Sequence, residues 1–91
     1  MMVTGIVLVN VERPMLNKVI KEIMALDGVT EVYTVAGEYD LVVMVRVKSN
    51  SELSDVVANK MTHEIKGISH TKTLISLDIN AKIDLKSAFS L

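Results

Sequence analysis

The chain has 91 residues and no cysteine, which allows one domain and excludes disulfides, thiolate metal sites and a cysteine nucleophile. A net charge of −1, with one Phe, two Tyr and no Trp, argues against direct nucleic-acid binding by phosphate neutralisation or base stacking. Although 49% of the residues are hydrophobic, no apolar run reaches the ~18 residues of a membrane span and no signal peptide is recognisable, so we predict a cytoplasmic domain without membrane contact.

The first part of the chain predicts a strand, a helix and a second strand. Residues 3–11 are β-branched and almost wholly apolar, as in a strand buried on both faces. Pro14 suits the first turn of a helix, and Gly28 suits the left-handed residue that follows its end. Residues 29–36 predict the second strand. The apolar positions of the helix recur at helical spacing, at Leu16, Val19, Ile20, Ile23 and Leu26.

The second part predicts the order strand, helix, strand. Gly37-Glu38 turns the chain into a third strand at residues 39–48, and Ser49 with Glu52 fits a helix capping box. A fourth strand follows at residues 71–79. The order β-α-β-β-α-β predicts an α+β, ferredoxin-like sandwich with a four-stranded antiparallel sheet and two helices on one face. The apolar stripe of the second helix consists of Leu53, Val56, Val57, Met61 and Ile65.

The face of the sheet opposite the helices is predicted to lack cover from its own chain. Apolar side chains point to both faces along the first and third strands, for example Leu8, Val42 and Met44. Exposed apolar patches beyond a few hundred Å² usually mark an interface. We therefore predict self-association as a homodimer that packs sheet against sheet. The tail, residues 80–91, is too short to cover four strands and is predicted to pack on a neighbouring subunit.

The strongest local signal is Gly37-Glu-Tyr39-Asp40, at the hairpin between the second and third strands. An amino-acid zwitterion needs acceptors for its ammonium group and donors for its carboxylate. Asp40 would accept from the ammonium, and backbone amides near Gly37 or the hydroxyls of Thr71 and Thr73 would donate to the carboxylate. Ordinary turn chemistry and strand propensity explain the same residues without any ligand.

The remaining polar residues predict no catalytic or metal site. Asp55, near the start of the second helix, is either a favourable N-terminal charge or a carboxylate at the mouth of a pocket shared between copies. His63 and His70 do not have the spacing of a metal pair and are expected to be exposed or to cap an element. The sequence contains no phosphate loop, dinucleotide fingerprint or nucleophile elbow. We therefore predict no cofactor and no enzymatic activity.

The segment GVTEVYTVAGEYDL at residues 28–41 closely resembles the effector domain of Lrp/AsnC-type regulators, called RAM for regulation of amino-acid metabolism. The stretch TKTL at residues 71–74 is similar to the last strand of that domain, and the likeness extends over residues 3–79. The resemblance implies a RAM domain at residues 1–79, which dimerises through its sheet. It also implies assembly into octameric rings, with amino-acid effectors bound between neighbouring dimers.

Carried over by position, the resemblance implies a ligand pocket formed by Gly37, Tyr39, Asp40, Thr71 and Thr73. The resemblance assigns Asp55 to this pocket less directly, because helix lengths vary among family members in this region. Full-length family members carry an N-terminal helix-turn-helix, whereas this sequence begins at the first effector-domain strand. It therefore looks like a stand-alone RAM protein without direct DNA binding, and co-assembly with a full-length Lrp/AsnC relative is a hypothesis.

Three other interpretations share part of this pattern. An ACT-type regulatory domain has the same element order, but it usually places a glycine in the first β-α turn, where this chain has none. A small dimeric α/β-barrel enzyme, such as a monooxygenase or a haem-degrading protein, should place His, Trp or acidic side chains inside the barrel. A purely structural oligomerisation module predicts every feature except ligand binding.

Overall fold

The computed structural model describes residues 2–82, and the last nine residues of the predicted tail lie outside them. The element order confirms the β-α-β-β-α-β prediction. A short 3-10 turn precedes the first helix, and the second helix continues as a π-helical segment. The elements are β1 (Val3–Val11), the 3-10 turn (Arg13–Met15), α1 (Leu16–Met24), β2 (Val29–Thr34), β3 (Leu41–Val47), α2 (Asn50–Ser54), the π-helical segment (Asp55–Glu64) and β4 (Ile68–Ile75).

The four strands form one antiparallel sheet in the order β2-β3-β1-β4. Val7 of β1 pairs with Val43 on one side and with Thr73 on the other. The two strands with the most apolar sequences, β1 and β3, therefore occupy the centre of the sheet, where both of their edges are bonded. The edge positions belong to β2 and β4, whose burial is lower throughout.

The hydrophobic core lies between the helices and one face of the sheet. Alternate residues of β1 and β3 point to this face, because successive side chains of a strand point to opposite sides. The helices contribute the apolar stripe that the sequence predicts. The fully buried members of the core are Val7, Val9, Val19, Ile23, Leu41, Val43, Val45 and Met61.

The other face of the sheet carries a set of apolar side chains that we call the open face. The strand register places them together: Ile6 pairs with Met44 and with Leu74, and Leu8 pairs with Val42. They are half-buried or exposed, and they do not belong to the core between sheet and helices. This agrees with the predicted lack of cover. The open face consists of Ile6, Leu8, Tyr33, Val42, Met44 and Leu74.

The second helix differs from the prediction of a regular α-helix. After Ser54 it widens into π-helical turns up to Glu64. Such turns bond residue i to residue i+5 and bring side chains five apart nearly into line. Val56 and Met61, which are five apart, both face the core, and the Thr62 hydroxyl donates to the carbonyl of Val57 at 2.8 Å. The wider helix still keeps Val56 and Met61 on the side of the core.

The hairpin between β2 and β3 also differs from the prediction, because its strands are shorter at the turn. Thr34 pairs with Leu41, so the connection is a loop of six residues, 35–40, rather than a two-residue turn at Gly37-Glu38. The amide of Val35 donates to the carbonyl of Asp40 at 2.9 Å and closes this loop. The strands end early because Asp40 directs its own amide to β1, onto the carbonyl of Val9 at 3.0 Å.

The fourth strand begins three residues earlier than predicted and also ends earlier, at Ile75. Gly67 has a positive φ of 105°, which lets the chain turn directly into β4 at Ile68. At the other end, the amide of Ser76 still donates to the carbonyl of Thr4 at 2.9 Å. The Asp78 carboxylate then accepts from the amide of Ile79 at 3.0 Å and ends the extended course of the chain.

Gly67 is expected to tolerate substitution poorly, because it combines a positive φ with close contacts to the first helix and the turn before it. A Cβ at this position would lie 2.8 Å from Cβ of Met15 and 3.0 Å from Cγ2 of the buried Val19. Backbone strain and overpacking together predict that Gly67→Ala lowers the free energy of unfolding by about 2–4 kcal/mol. Urea or thermal denaturation measures this loss.

Gly37→Ala is the matched control, because Gly37 also has a positive φ, of 147°, but no heavy atom lies within 4 Å of its Cβ position. Gly37→Ala introduces backbone strain without a steric contact, so we expect it to lower the free energy of unfolding by about 1 kcal/mol. Equal losses for the two variants would show that the contact of Gly67 with α1 does not matter.

Candidate functional site

The loop between β2 and β3, residues 35–40, is tied to the end of β1 by Asp40. The amide of Val11 donates to Oδ2 of Asp40 at 2.8 Å, and the Asp40 amide donates to the Val9 carbonyl at 3.0 Å. The carboxylate thus occupies the place that a strand carbonyl would take beside β1. Because both ends of the residue are bonded to one strand, the half-buried carboxylate has a fixed position.

A small cavity, which we call the hairpin niche, lies between this loop, the end of β1 and the start of α1. Its volume is about 100 Å³, well below the roughly 300–1,000 Å³ of complete small-molecule sites. Its lining includes one acidic and one basic residue, among apolar and hydroxyl-bearing residues. The residues that line it are Val11, Arg13, Leu16, Thr34, Val35 and Asp40.

Tyr39 serves a different surface from Asp40, its neighbour in the chain. Its ring stacks on that of His70, with centroids 6.3 Å apart and planes 22° apart. His70 pairs with Asn10, so Tyr39 reaches across the end of β1 to β4. Gly37 lies at the exposed tip of the same loop. The structure therefore brings together three of the predicted site residues, but it aims Tyr39 towards β4 and Asp40 towards α1.

Thr71 and Thr73 lie on the edge strand β4 and share the face covered by the helices. Thr71 pairs with Val9, the residue whose carbonyl accepts from the Asp40 amide. It is therefore one strand away from the loop. Thr73 lies two residues further along and lines an apolar groove of about 250 Å³ between β4 and α2, beside Leu53 and Val57. Within one chain, only Thr71 is close to the end of the sheet that carries the hairpin.

Asp55 lies at the opposite end of the sheet. It borders a cleft of about 640 Å³ that includes Gly28 and Val47. Its Oδ1 accepts from the side-chain Nδ2 of Asn59 at 2.7 Å. β3 runs from the hairpin to this cleft, and seven residues of strand span about 20 Å. A single chain therefore does not bring Asp55 to the hairpin niche. The charged residues around the cleft are Asp27, Arg46, Lys48, Glu52, Asp55 and Lys60.

Polar side chains border the apolar residues of the open face. Nη1 of Arg46 donates to the hydroxyl of Thr4 at 3.2 Å, and both residues are buried. On β2, the Tyr33 hydroxyl donates to the carboxylate of Glu31. This hydrogen bond raises the pKa of Tyr33 above its ordinary value. An apolar centre with a polar rim is typical of a protein interface.

Neither a metal-binding cluster nor a membrane-spanning helix is found in the described part of the chain. Among residues 2–82, no group of three or more His, Asp or Glu side chains lies close enough together to hold a metal ion. In the same residues, no helix has the length and apolar character needed to cross a bilayer.

Two residues beside the predicted site have no signal in the sequence that marks them as site residues. Arg13 lies in the turn after the first strand, and only the fold brings it to the niche that Asp40 borders. His70 was expected to be exposed or to cap an element, and it is exposed, but it also stacks on Tyr39. No local motif could reveal either contact, because each joins residues from separate elements.

The sequence profile of the Lrp/AsnC ligand binding domain matches residues 4–82 of the chain. An HTH-type transcriptional regulator of Pyrococcus abyssi is 38% identical over 61 residues, which cover 67% of this chain and 40% of the regulator. The chain spans half the length or less of the curated relatives that it matches.

Solved structures share the fold. A protein from Thermus thermophilus superimposes with a TM-score of 0.81 at 34% identity, covering 88% of this chain and 99% of that one. E. coli AsnC gives a TM-score of 0.82 at 27% identity, covering 92% of this chain and 56% of AsnC. A transcriptional regulator from Neisseria meningitidis, solved as a complex with L-Met, gives a TM-score of 0.76 at 10% identity, covering 94% of this chain and 58% of the regulator. At that identity the likeness is one of fold alone.

Proposed function

Because the chain belongs to the Lrp/AsnC ligand-binding domain family, we propose that it senses an amino acid and passes that signal on through self-association. In this proposal it regulates transcription in the cytoplasm and catalyses no reaction. Of the pocket residues that the sequence predicts, Gly37, Tyr39, Asp40 and Thr71 lie at or near the β2–β3 loop within one chain. The ligand class is also supported by the fold relative from N. meningitidis, which was solved with L-Met.

The position of the Asp40 carboxylate carries the proposal. Its Oδ2 is held by the amide of Val11 at 2.8 Å, at the border of the hairpin niche. A carboxylate that is fixed before the ligand arrives binds an ammonium group without losing conformational entropy of its own. The bond is also charge-assisted, which makes it stronger than a bond between neutral groups.

Self-association is proposed to occur first through the open face, as a homodimer. The apolar centre of that face has no helix over it within residues 2–82, and a symmetric pair of sheets would remove it from water. Further assembly of dimers, to an octamer, would place neighbouring copies beside the niche. This step also supplies what the niche lacks, since about 100 Å³ is too small for a complete ligand site.

In the assembled protein, the more distant candidates act from a neighbouring copy. Thr73 and Asp55 lie away from the hairpin in one chain, at the β4 groove and at the far cleft. They join the pocket only if a second subunit brings them there. The proposal therefore places the ligand between subunits, so that its binding changes how the subunits associate.

A thermal-shift screen against the twenty amino acids at millimolar concentration tests the proposal. A ligand at a hundred times its Kd stabilises the native state by about 2.7 kcal/mol. For a domain of this size, that corresponds to a rise in melting temperature of about 10 °C or more. We expect a selective rise with one or a few amino acids. An oligomer that shows no rise with any of them would instead be a purely structural module.

A further inference from the structure

We propose that Arg13 gives the hairpin niche its preference for α-amino acids, by binding the ligand carboxylate while Asp40 binds the ligand ammonium. This inference rests on the proposed function and adds to it a residue and a chemical rule. The rule is that the niche recognises the head group shared by all α-amino acids, and that the ligand side chain points out of it.

The two charged residues border the niche from separate elements whose backbones are held in place. Arg13 begins the 3-10 turn, where Pro14 restricts the backbone. The amide of Met15 donates to the carbonyl of Glu12 at 2.8 Å, and the amide of Glu12 donates to the carbonyl of Gly67 at 2.8 Å. The turn is thus bonded to the start of β4, while the Arg13 side chain is exposed.

The charges of the niche match those of a zwitterion. In the part of the chain that the structure describes, no salt bridge joins Arg13 to Asp40, so each can still pair with a ligand group of opposite charge. An α-amino acid carries an ammonium and a carboxylate on the same carbon, and it would place one on each wall. The planar guanidinium donates two parallel hydrogen bonds to a carboxylate, which a single ammonium donor cannot do.

The size of the niche limits what it recognises. A volume of about 100 Å³ is well below the roughly 300–1,000 Å³ of complete small-molecule sites. This space suits an ammonium, a carboxylate and the carbon between them, but not a long side chain as well. Leu16 and Val35 supply the apolar part of its lining. The identity of the side chain is then read by residues outside the niche.

Isothermal titration calorimetry with the twenty L-amino acids and their carboxamides tests this inference. A carboxamide keeps the ammonium but has no negative charge for Arg13. We expect the wild-type protein to bind its best amino acid about ten- to a hundredfold more tightly than the matching amide. In Arg13→Ala this preference should vanish, because the affinity for the amino acid should fall to the affinity for its amide. Arg13→Lys should keep part of it, since it retains the charge but not the paired donors.

Lys21→Ala is the matched control, because it removes an exposed positive charge from α1 that does not border the niche. It should keep the full preference for the amino acid over the amide. The unliganded melting temperature of Arg13→Ala should equal that of the wild type, since Arg13 is exposed and its loss leaves no cavity.

The possible outcomes distinguish failure of the Arg13 role from failure of the proposed sensing function. If the wild type binds an amino acid and Arg13→Ala keeps the same preference over the amide, Arg13 has no such role and the sensing function still holds. If the wild type binds an amino acid and its amide equally, the carboxylate is not recognised at all. If the wild type binds none of the twenty, the proposed function fails and this inference fails with it.

Discussion

Met44→Glu should convert the proposed homodimer into monomers. Met44 is half-buried at the centre of the open face and pairs with Ile6 of β1. In a dimer that packs sheet against sheet, the new carboxylate would be buried without a partner, which costs several kcal/mol. A loss of about 3 kcal/mol weakens association more than a hundredfold. Size-exclusion chromatography with light scattering, at micromolar protein, reports the mass directly.

Met24→Glu makes the same chemical change at an exposed position and serves as the control. Met24 lies at the end of α1, on the helix side of the sheet, and is 48% exposed. It should leave the dimer intact. Circular dichroism checks that Met44→Glu retains its secondary structure, because a monomer with an exposed open face is less stable. A folded Met44→Glu protein of wild-type mass would rule out the open face as the dimer interface.

Replacement of Asp40 should have two separable effects. Asp40→Ala removes the acceptor of the Val11 amide, and an unbonded, mostly buried donor costs about 1–3 kcal/mol of stability. The same change removes the proposed acceptor for the ligand ammonium. We therefore expect a lower melting temperature without ligand and no rise when an amino acid is added. Loss of the ligand effect in Asp40→Ala alone would not distinguish binding from folding.

Asp40→Asn separates the two effects. The side-chain amide keeps an oxygen that can accept from the Val11 amide, but it has no negative charge. We expect most of the unliganded stability to return while the amino-acid response stays absent, because the neutral oxygen is a weaker partner for an ammonium group. Thermal denaturation with and without the amino acid measures both. A full ligand response in Asp40→Asn would mean that the carboxylate has only a structural role.

The fold could be predicted from the sequence because its signals are local. The apolar run of β1, the helical spacing from Leu16 to Leu26 and the glycines that end each helix require no knowledge of distant residues. The uncovered sheet face followed from the handedness of β-α-β crossovers. The π-helical turns after Ser54 escaped prediction, because the apolar positions of that segment fit an α-helix almost as well.

The candidate site was predictable only in part, for a physical reason. The hairpin could be recognised as a motif, but the role of Asp40 depends on which backbone amide it meets. That amide belongs to Val11, 29 positions away, and is set by the register between β1 and β3. Arg13 is a similar case, since it reaches the niche only after the 3-10 turn has been bonded to Gly67. The spacing of residues along the chain predicts neither the bond of Asp40 to Val11 nor the position of Arg13.

β1 takes part in both proposed events, since its last residue, Val11, holds Asp40 and its middle residues, Ile6 and Leu8, belong to the open face. The nine residues of β1 span no more than about 30 Å, and this hydrogen-bonded strand lies between the proposed ligand and the proposed partner subunit. Any coupling that this strand carries is reciprocal by thermodynamic necessity. The factor by which an amino acid tightens or loosens the dimer is also the factor by which dimerisation changes the affinity for that amino acid. Protein concentration would then set the amino-acid level at which the domain responds.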